Sequence, residues 1–131
     1  MRVNTQARIL SIEDDPEMSG LIQLIFERKG HRVIGASRGE LGLELIKSLK
    51  PDVLLLDLML PDIDGWDLYR QMKNDRELSK LPIIIVSARS EAQDAAAGLQ
   101  VTANDRFIQK PFEVKELVEA VMNLLEKTPV N

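Results

Sequence analysis

"VLLLDLMLPDIDGWDL", residues 53–68, is the stretch whose reading decides the fold. Four apolar residues, Val53–Leu56, run straight into a carboxylate, Asp57, with more apolar residues and a Pro-Asp turn after it. A buried ionised carboxylate is costly unless it is paired, protonated or bound to metal. A run that is apolar at every position fits a central parallel strand covered on both faces. Asp57 would then stand at the open carboxyl end of that strand, where its charge can be used.

The same alternation continues on both sides. Residues 7–13 ("ARILSIE"), 31–36 ("HRVIGA"), 52–57 ("DVLLLD"), 82–87 ("PIIIVS") and 106–109 ("RFIQ") read as strands. Between them, helical periodicity predicts helices over 16–29 (stopped at Gly30), through Leu41–Leu49 (closed by Pro51), over 66–74 and over 91–99. Val114, Leu117, Val118, Val121, Leu124 and Leu125 form a one-sided stripe for the last helix. Five β units alternating with five α units predict a doubly wound, five-stranded parallel sheet in an α/β fold, with helices on both faces. Ligands in such folds bind beyond the carboxyl ends of the strands, where strand order reverses.

The chain of 131 residues is the size of one domain, 44% hydrophobic and 29% charged. A formal charge of −4 with scattered basic residues argues against an intrinsic nucleic-acid surface. The absence of Cys excludes disulfides and thiolate metal sites. No apolar run approaches the ~18 residues of a membrane span, and "MRVNTQARILSI" lacks the apolar core of a secretory signal. A cytoplasmic location is the expectation. After the helix ending near Lys127 only "TPVN" remains, so the output is expected in partner proteins or in a longer chain.

Four strand ends deliver chemistry to one edge. The first run ends in Glu13-Asp14-Asp15, the third in Asp57 and the fourth in Ser87, while the fifth is followed by Lys110-Pro111. Clustered carboxylates repel one another unless a cation intervenes. A hard divalent ion suits them, since Mg²⁺ takes one or two protein carboxylates together with phosphate oxygens. A metal, an ammonium and a hydroxyl around one free carboxylate suit phosphoryl transfer. Asp57 would be the nucleophile, forming an acyl phosphate, with Lys110 and Ser87 stabilising the phosphoryl oxygens.

These stretches, "ILSIEDD", "PDVLLLDLMLPDIDGWDL", "LPIIIVSA" and "QKPF", resemble in order and spacing the receiver domain of bacterial two-component response regulators over about residues 7–127. The resemblance implies one receiver domain over 1–131 with a flavodoxin-like sheet ordered 2-1-3-4-5. It implies Glu13, Asp14, Asp57 and the Met59 backbone carbonyl as ligands of Mg²⁺ or Mn²⁺. Asp57 corresponds to the phosphoacceptor that becomes 4-aspartylphosphate, Ser87 to the switch hydroxyl, Lys110 to the phosphoryl-contacting lysine and Phe107 to the aromatic switch. The bond Lys110–Pro111 corresponds to a cis peptide. Implied partners are a sensor histidine kinase or phosphotransfer protein and an effector, with no membrane or direct nucleic-acid contact.

Two departures stand out. Ala103 replaces a common Gly in "ANDRF". Arg106 and Ala120 occupy positions where regulators that dimerise through a salt-bridged last strand and helix carry an acid and a base, although Glu116 is retained. A monomer or weak dimer is expected.

Asp15, followed by Pro16, reads as a helix start. Gly65 reads as a backbone requirement of its loop, and His31, the only histidine, as a surface residue. Two other classes compete with a signalling switch. A phosphohydrolase would want a second acid where Met59 stands, and a nucleotide-binding module would want glycines where "EDDPEM" is acidic and glycine-free.

Overall fold

The computed structural model describes residues 6–127. Five strands, β1 (Arg8–Ile12), β2 (Arg32–Ala36), β3 (Val53–Leu56), β4 (Ile83–Ser87) and β5 (Arg106–Gln109), form one parallel sheet in the order β2-β1-β3-β4-β5. The helices are α1 (Pro16–Glu27), α2 (Gly39–Leu49), α3 (Gly65–Lys73), α4 (Glu91–Ala96) and α5 (Val114–Lys127). A short 3-10 helix, η1 (Leu78–Lys80), precedes β4 and has no counterpart in the sequence reading.

The period of two along a strand sorts the core into two layers. Ile9, Val53, Leu55, Ile84 and Val86 pack with Phe26 of α1 and Leu117 and Val121 of α5. Leu10, Ile12, Leu54, Leu56, Ile83 and Ile85 face the other way, onto Ile46 of α2 and Trp66, Leu68 and Met72 of α3. Every residue of β3 and β4 is buried, and each of the apolar ones, Val53–Leu56 and Ile83–Val86, contributes on the order of 1.5–3 kcal/mol of transfer free energy. That is why these two strands lie next to each other in the middle of the sheet and why the chemistry at their ends is rigidly placed.

β1 and β3 fall one residue inside the predicted runs at both ends, leaving Glu13 and Asp57 just beyond their ladders, while β2 and β4 start one residue late and β5 matches its run. Backbone bonds still hold both: Asp57 N donates to Ile12 O at 3.0 Å and Glu13 N to Ala36 O at 2.9 Å. Asp15 caps α1 as expected, accepting Glu17 N–H at 3.1 Å with Pro16 at the helix start. The helix stops at Glu27, two residues short of the prediction. Lys29 and Gly30 donate to the carbonyls three residues back, and Gly30 turns with φ 89°.

The fourth helix is also shorter than predicted, ending at Ala96. Its Ser90–Gln93 capping box fixes the start, but the chain then turns at Gly98 (φ 84°), with Leu99 N closing onto Asp94 O at 2.8 Å. A weakly amphipathic alanine run has little packing to prolong it. Ala103 is not among the positive-φ residues, so the loop before β5 needs no glycine there.

His31 is half-buried, a correction to its surface assignment. Its Nδ1 accepts the Ala7 N–H at 3.0 Å, because β1 and β2 start side by side and leave that donor outside the ladder.

Asp105, buried before β5, was not singled out in the sequence. Its Oδ1 accepts Ile83 N–H at 2.8 Å; its Oδ2 accepts the Tyr69 hydroxyl at 2.7 Å and Thr102 Oγ1 at 2.8 Å, and pairs with Lys73 at 2.8 Å. Burial, reinforced by the Asp105 charge, pushes the Tyr69 hydroxyl up to about 12, so it remains a donor. One carboxylate thereby ties α3, β4 and the loop before β5 together.

Candidate functional site

Three strands end at one edge of the sheet. β1 delivers Glu13 and Asp14, β3 delivers Asp57, and the chain leaving β5 delivers Lys110. Glu13, Asp14 and Asp57 each offer a carboxylate oxygen within 4.8 Å of the others. Lys110 Nζ lies 2.7 Å from Glu13 Oε1 and 3.4 Å from Asp57 Oδ2. The Lys110–Pro111 bond is cis, as expected, and Lys110 N donates to Ser87 O at 2.7 Å. The lysine backbone is therefore fastened to the end of β4 while its side chain reaches the acids.

Two of the three acids are oriented by backbone. Asp57 Oδ1 accepts Met59 N–H at 3.0 Å, and Glu13 Oε2 accepts Asp15 N–H at 3.2 Å. Asp57 keeps 6% of its surface exposed and Glu13 4%, while Asp14 is exposed and Met59 is 59% exposed.

Crowding has an electrostatic signature. Burial pushes Glu13 up to about 7, and the Asp57 carboxylate beside it adds to the rise against the pull of Lys110. Burial alone would lower Lys110, but its hydrogen bond to Glu13 and the charges of Asp57 and Glu13 outweigh that, and the ammonium is held above its ordinary range. With all three acids ionised and Lys110 charged, two negative charges stay uncompensated. A hard divalent cation matches both that deficit and the all-oxygen donor set.

Ser87 is fully buried at the end of β4, and its Oγ accepts Arg89 N–H at 3.1 Å. Phe107, on β5, is half-buried and stacks on Trp66, which meets Tyr69 edge-on. Of the expected residues, Glu13, Asp14, Asp57 and Lys110 gather into one acid–lysine cluster, Ser87 meets it through the backbone bond from Lys110 N, and Phe107 stacks on Trp66 apart from it.

Gly65 has a sharper reason than loop flexibility. A Cβ there would lie 2.3 Å from Leu58 Cα and 2.8 Å from Asp57 O, and Gly65 N donates to Leu58 O at 2.9 Å. The close approach seats α3 directly against the segment that carries Asp57.

Two supporting residues escaped the sequence reading. Asp62, in the "PDIDG" turn, caps α2 from a distance, its oxygens accepting Gly39 N–H at 2.7 Å and Glu40 N–H at 2.9 Å. Those bonds, the one from Glu40 foremost, hold its carboxyl below the usual range. Asp94, buried in α4, pairs with Arg89 at 3.2 Å. A local capping search finds neither, because the partners of Asp62 lie on another helix and Asp94 looks like an ordinary helix acid.

Comparison with known proteins agrees with this geometry. Residues 9–122 match the model of the response regulator receiver domain. The chain is 36% identical over 121 residues to the DNA-binding dual master transcriptional regulator RpaA of Synechocystis, covering 92% of this chain and 50% of that protein. It is 33% identical to protein PilH of Pseudomonas aeruginosa over 91% of this chain and 98% of that one. The chain thus spans about half the length of RpaA and nearly all of PilH.

Among solved structures, the BeF3-activated N-terminal receiver domain of Klebsiella pneumoniae RstA superposes with a TM-score of 0.79 at 30% identity, over 90% of this chain and 97% of that one. The receiver domain of a sensor histidine kinase from Pseudomonas aeruginosa PAO1, with magnesium in its active-site cleft, gives 0.77 at 26% identity, over 93% and 99%. The sheet order, the acid–lysine cluster and the match over residues 9–122 lead to one conclusion: the chain belongs to the response regulator receiver domain family.

Proposed function

We propose that this chain is a single receiver domain that takes a phosphoryl group from a sensor histidine kinase or phosphotransfer protein onto Asp57. The observation that carries the reading is the convergence of Glu13, Asp14 and Asp57 within 4.8 Å with Lys110 against them. Glu13, Asp14, Asp57 and the Met59 carbonyl are the groups to hold Mg²⁺ or Mn²⁺, which would neutralise charge on the phosphoryl oxygens.

The chain's own residues account for the rest. A carboxylate oxygen of Asp57 attacks phosphorus, the donor's P–N bond breaks with its electron pair returning to the imidazole, and 4-aspartylphosphate remains. Lys110, 3.4 Å from Asp57 Oδ2, is within reach of the incoming negative charge. Ser87 has a hydroxyl proton to donate, and its movement towards the phosphoryl group would break the bond from Arg89 N. Phe107 then repacks against Trp66, shifting the population of the β4–β5 and α4–α5 face. The domain catalyses its own phosphorylation and dephosphorylation, and its output is binding. It works in the cytoplasm.

Among the described residues no helix is long and apolar enough to cross a membrane. The match to only half of RpaA supports a reading in which DNA contact belongs to the part of that protein this chain does not cover.

The test follows Trp66 fluorescence while Mg²⁺ and beryllofluoride are added. A saturable, metal-dependent change that vanishes in Asp57→Asn supports the reading. A change that persists in Asp57→Asn removes Asp57 as the acceptor.

A further inference from the structure

The sheet edge opposite Asp57 carries a second feature that phosphoryl chemistry does not use. A cavity of about 400 Å³ opens where α2 ends, where the chain enters β3 and β4, and beside η1. Its apolar wall is Ile46, Pro51, Leu78, Leu81 and Pro82. Lys47, Lys50 and Lys80 stand on its rim, all exposed, and none of them makes an ion pair among the described residues. Small-molecule sites share this construction, an apolar concavity of roughly 300–1,000 Å³ with a few convergent polar groups.

Two carboxylates also line the cavity, and both bear on its charge. Asp52 Oδ2 is occupied by the Arg8 N–H at 2.8 Å. Glu77 is exposed and opposes an anion, leaving the three ammonium groups in excess. The end of a helix repels anions through its free carbonyls, and at α2 two of the four last-turn carbonyls are taken. Leu49 O accepts Arg8 Nη1 at 2.6 Å and Ile46 O accepts Lys50 N at 3.1 Å.

A helix-end preference for cations accounts for Lys47 and Lys50. It accounts neither for Lys80, which belongs to η1, nor for the apolar wall. Lys50 moreover adopts φ 49°, ψ 65°, a left-handed conformation that side chains disfavour and that glycine usually supplies at this position. Strain of this kind collects at ligand clamps.

We propose that this cavity binds a small organic carboxylate. Its aliphatic or aromatic body would lie on Ile46, Leu78 and Leu81, with the carboxylate towards Lys47, Lys50 and Lys80. The ligand is an anion with an apolar body; a purely inorganic anion would leave the wall unused, and a neutral molecule would leave the lysines unused.

The test uses the full chain, isotopically labelled, titrated by NMR with a panel of fragment-sized carboxylates, each paired with its primary amide. The expected result is saturable shifts at Ile46, Leu78 and Leu81, with carboxylates binding roughly tenfold tighter than their amides. Lys50→Gln combined with Lys80→Gln, both on exposed side chains, should erase that preference while the spectrum stays folded. Inorganic phosphate alone should not compete at matched concentration. Equal binding of acids and amides, shifts confined to other surfaces, or no binding across the panel would each overturn the proposal.

Discussion

The rings of Trp66 and Phe107 stack with centroids 6.4 Å apart and planes 28° apart, joining the first turn of α3 to the strand that leads to Lys110. Trp66 is 2% exposed, and its indole Nε1 is buried without a partner. A buried indole emits at short wavelength, and water reaching it shifts emission to the red. Phe107→Ala is therefore expected to red-shift Trp66 emission and to blunt the fluorescence response to beryllofluoride. An unchanged spectrum and response would detach Phe107 from the switch.

Gly65 tests how firmly α3 must seat against the Asp57 segment. Gly65→Ala drives a methyl into backbone at Leu58 and Asp57, which cannot yield as a flexible side chain does. Overpacking of this kind costs roughly 1–3 kcal/mol. Urea unfolding should show a lower midpoint with an unchanged slope. A midpoint equal to the parent's would mean that the loop relaxes freely.

Tyr69→Phe removes a hydroxyl that donates to Asp105 and accepts the Thr102 N–H at 2.7 Å. Asp105 keeps Thr102 Oγ1, Lys73 and Ile83 N, so the cost falls mainly on the orphaned Thr102 donor, on the order of 1–3 kcal/mol. Thermal unfolding measures it, and hydrogen exchange at Thr102 should accelerate. A neutral substitution would show that the network carries no net stability.

His31 gives a pH prediction with a definite sign. Burial, followed by the charge of Lys29, lowers its pKa below the ordinary 6.5, against Asp52. The unfolded chain then binds the proton first, so the stability from neutral His31 is complete above about 6.5 and declines as pH falls towards the folded value. Glu13, raised to about 7, works oppositely: it loses stability as pH rises from about 4.5 towards 7. The measurement is therefore a difference, parent minus His31→Gln, which cancels Glu13. That difference should fall as pH drops below 6.5. A flat difference would mean that Ala7 N–H does not need a neutral imidazole.

How much of this was legible in the sequence depends on the range of each interaction. Val53–Leu56 and Ile83–Val86 announce central strands because burial on both faces needs no knowledge of the partner. Glu13, Asp14, Asp57 and Lys110 could be grouped because parallel crossovers bring every strand end to one edge, a topological consequence rather than a local one. Helix ends were less legible. The stops of α1 and α4 depend on how turns close onto carbonyls already folded, as with Leu99 N on Asp94 O. Asp62, Asp105 and His31 hid for a related reason: each satisfies a backbone donor that is far away in sequence, left unpaired by the docking of other elements.

Asp57 is proposed to supply the carboxylate oxygen of an acyl phosphate that forms only with the metal. The direct measurement is intact mass and peptide mapping after incubation with acetyl phosphate, with and without Mg²⁺, on the parent and on Asp57→Asn. One hydroxylamine-labile phosphoryl group on the peptide containing Asp57, formed only with Mg²⁺ and absent from Asp57→Asn, is the predicted result. A phosphoryl group on another residue of the parent chain, or the same yield after chelation of the metal, would contradict it.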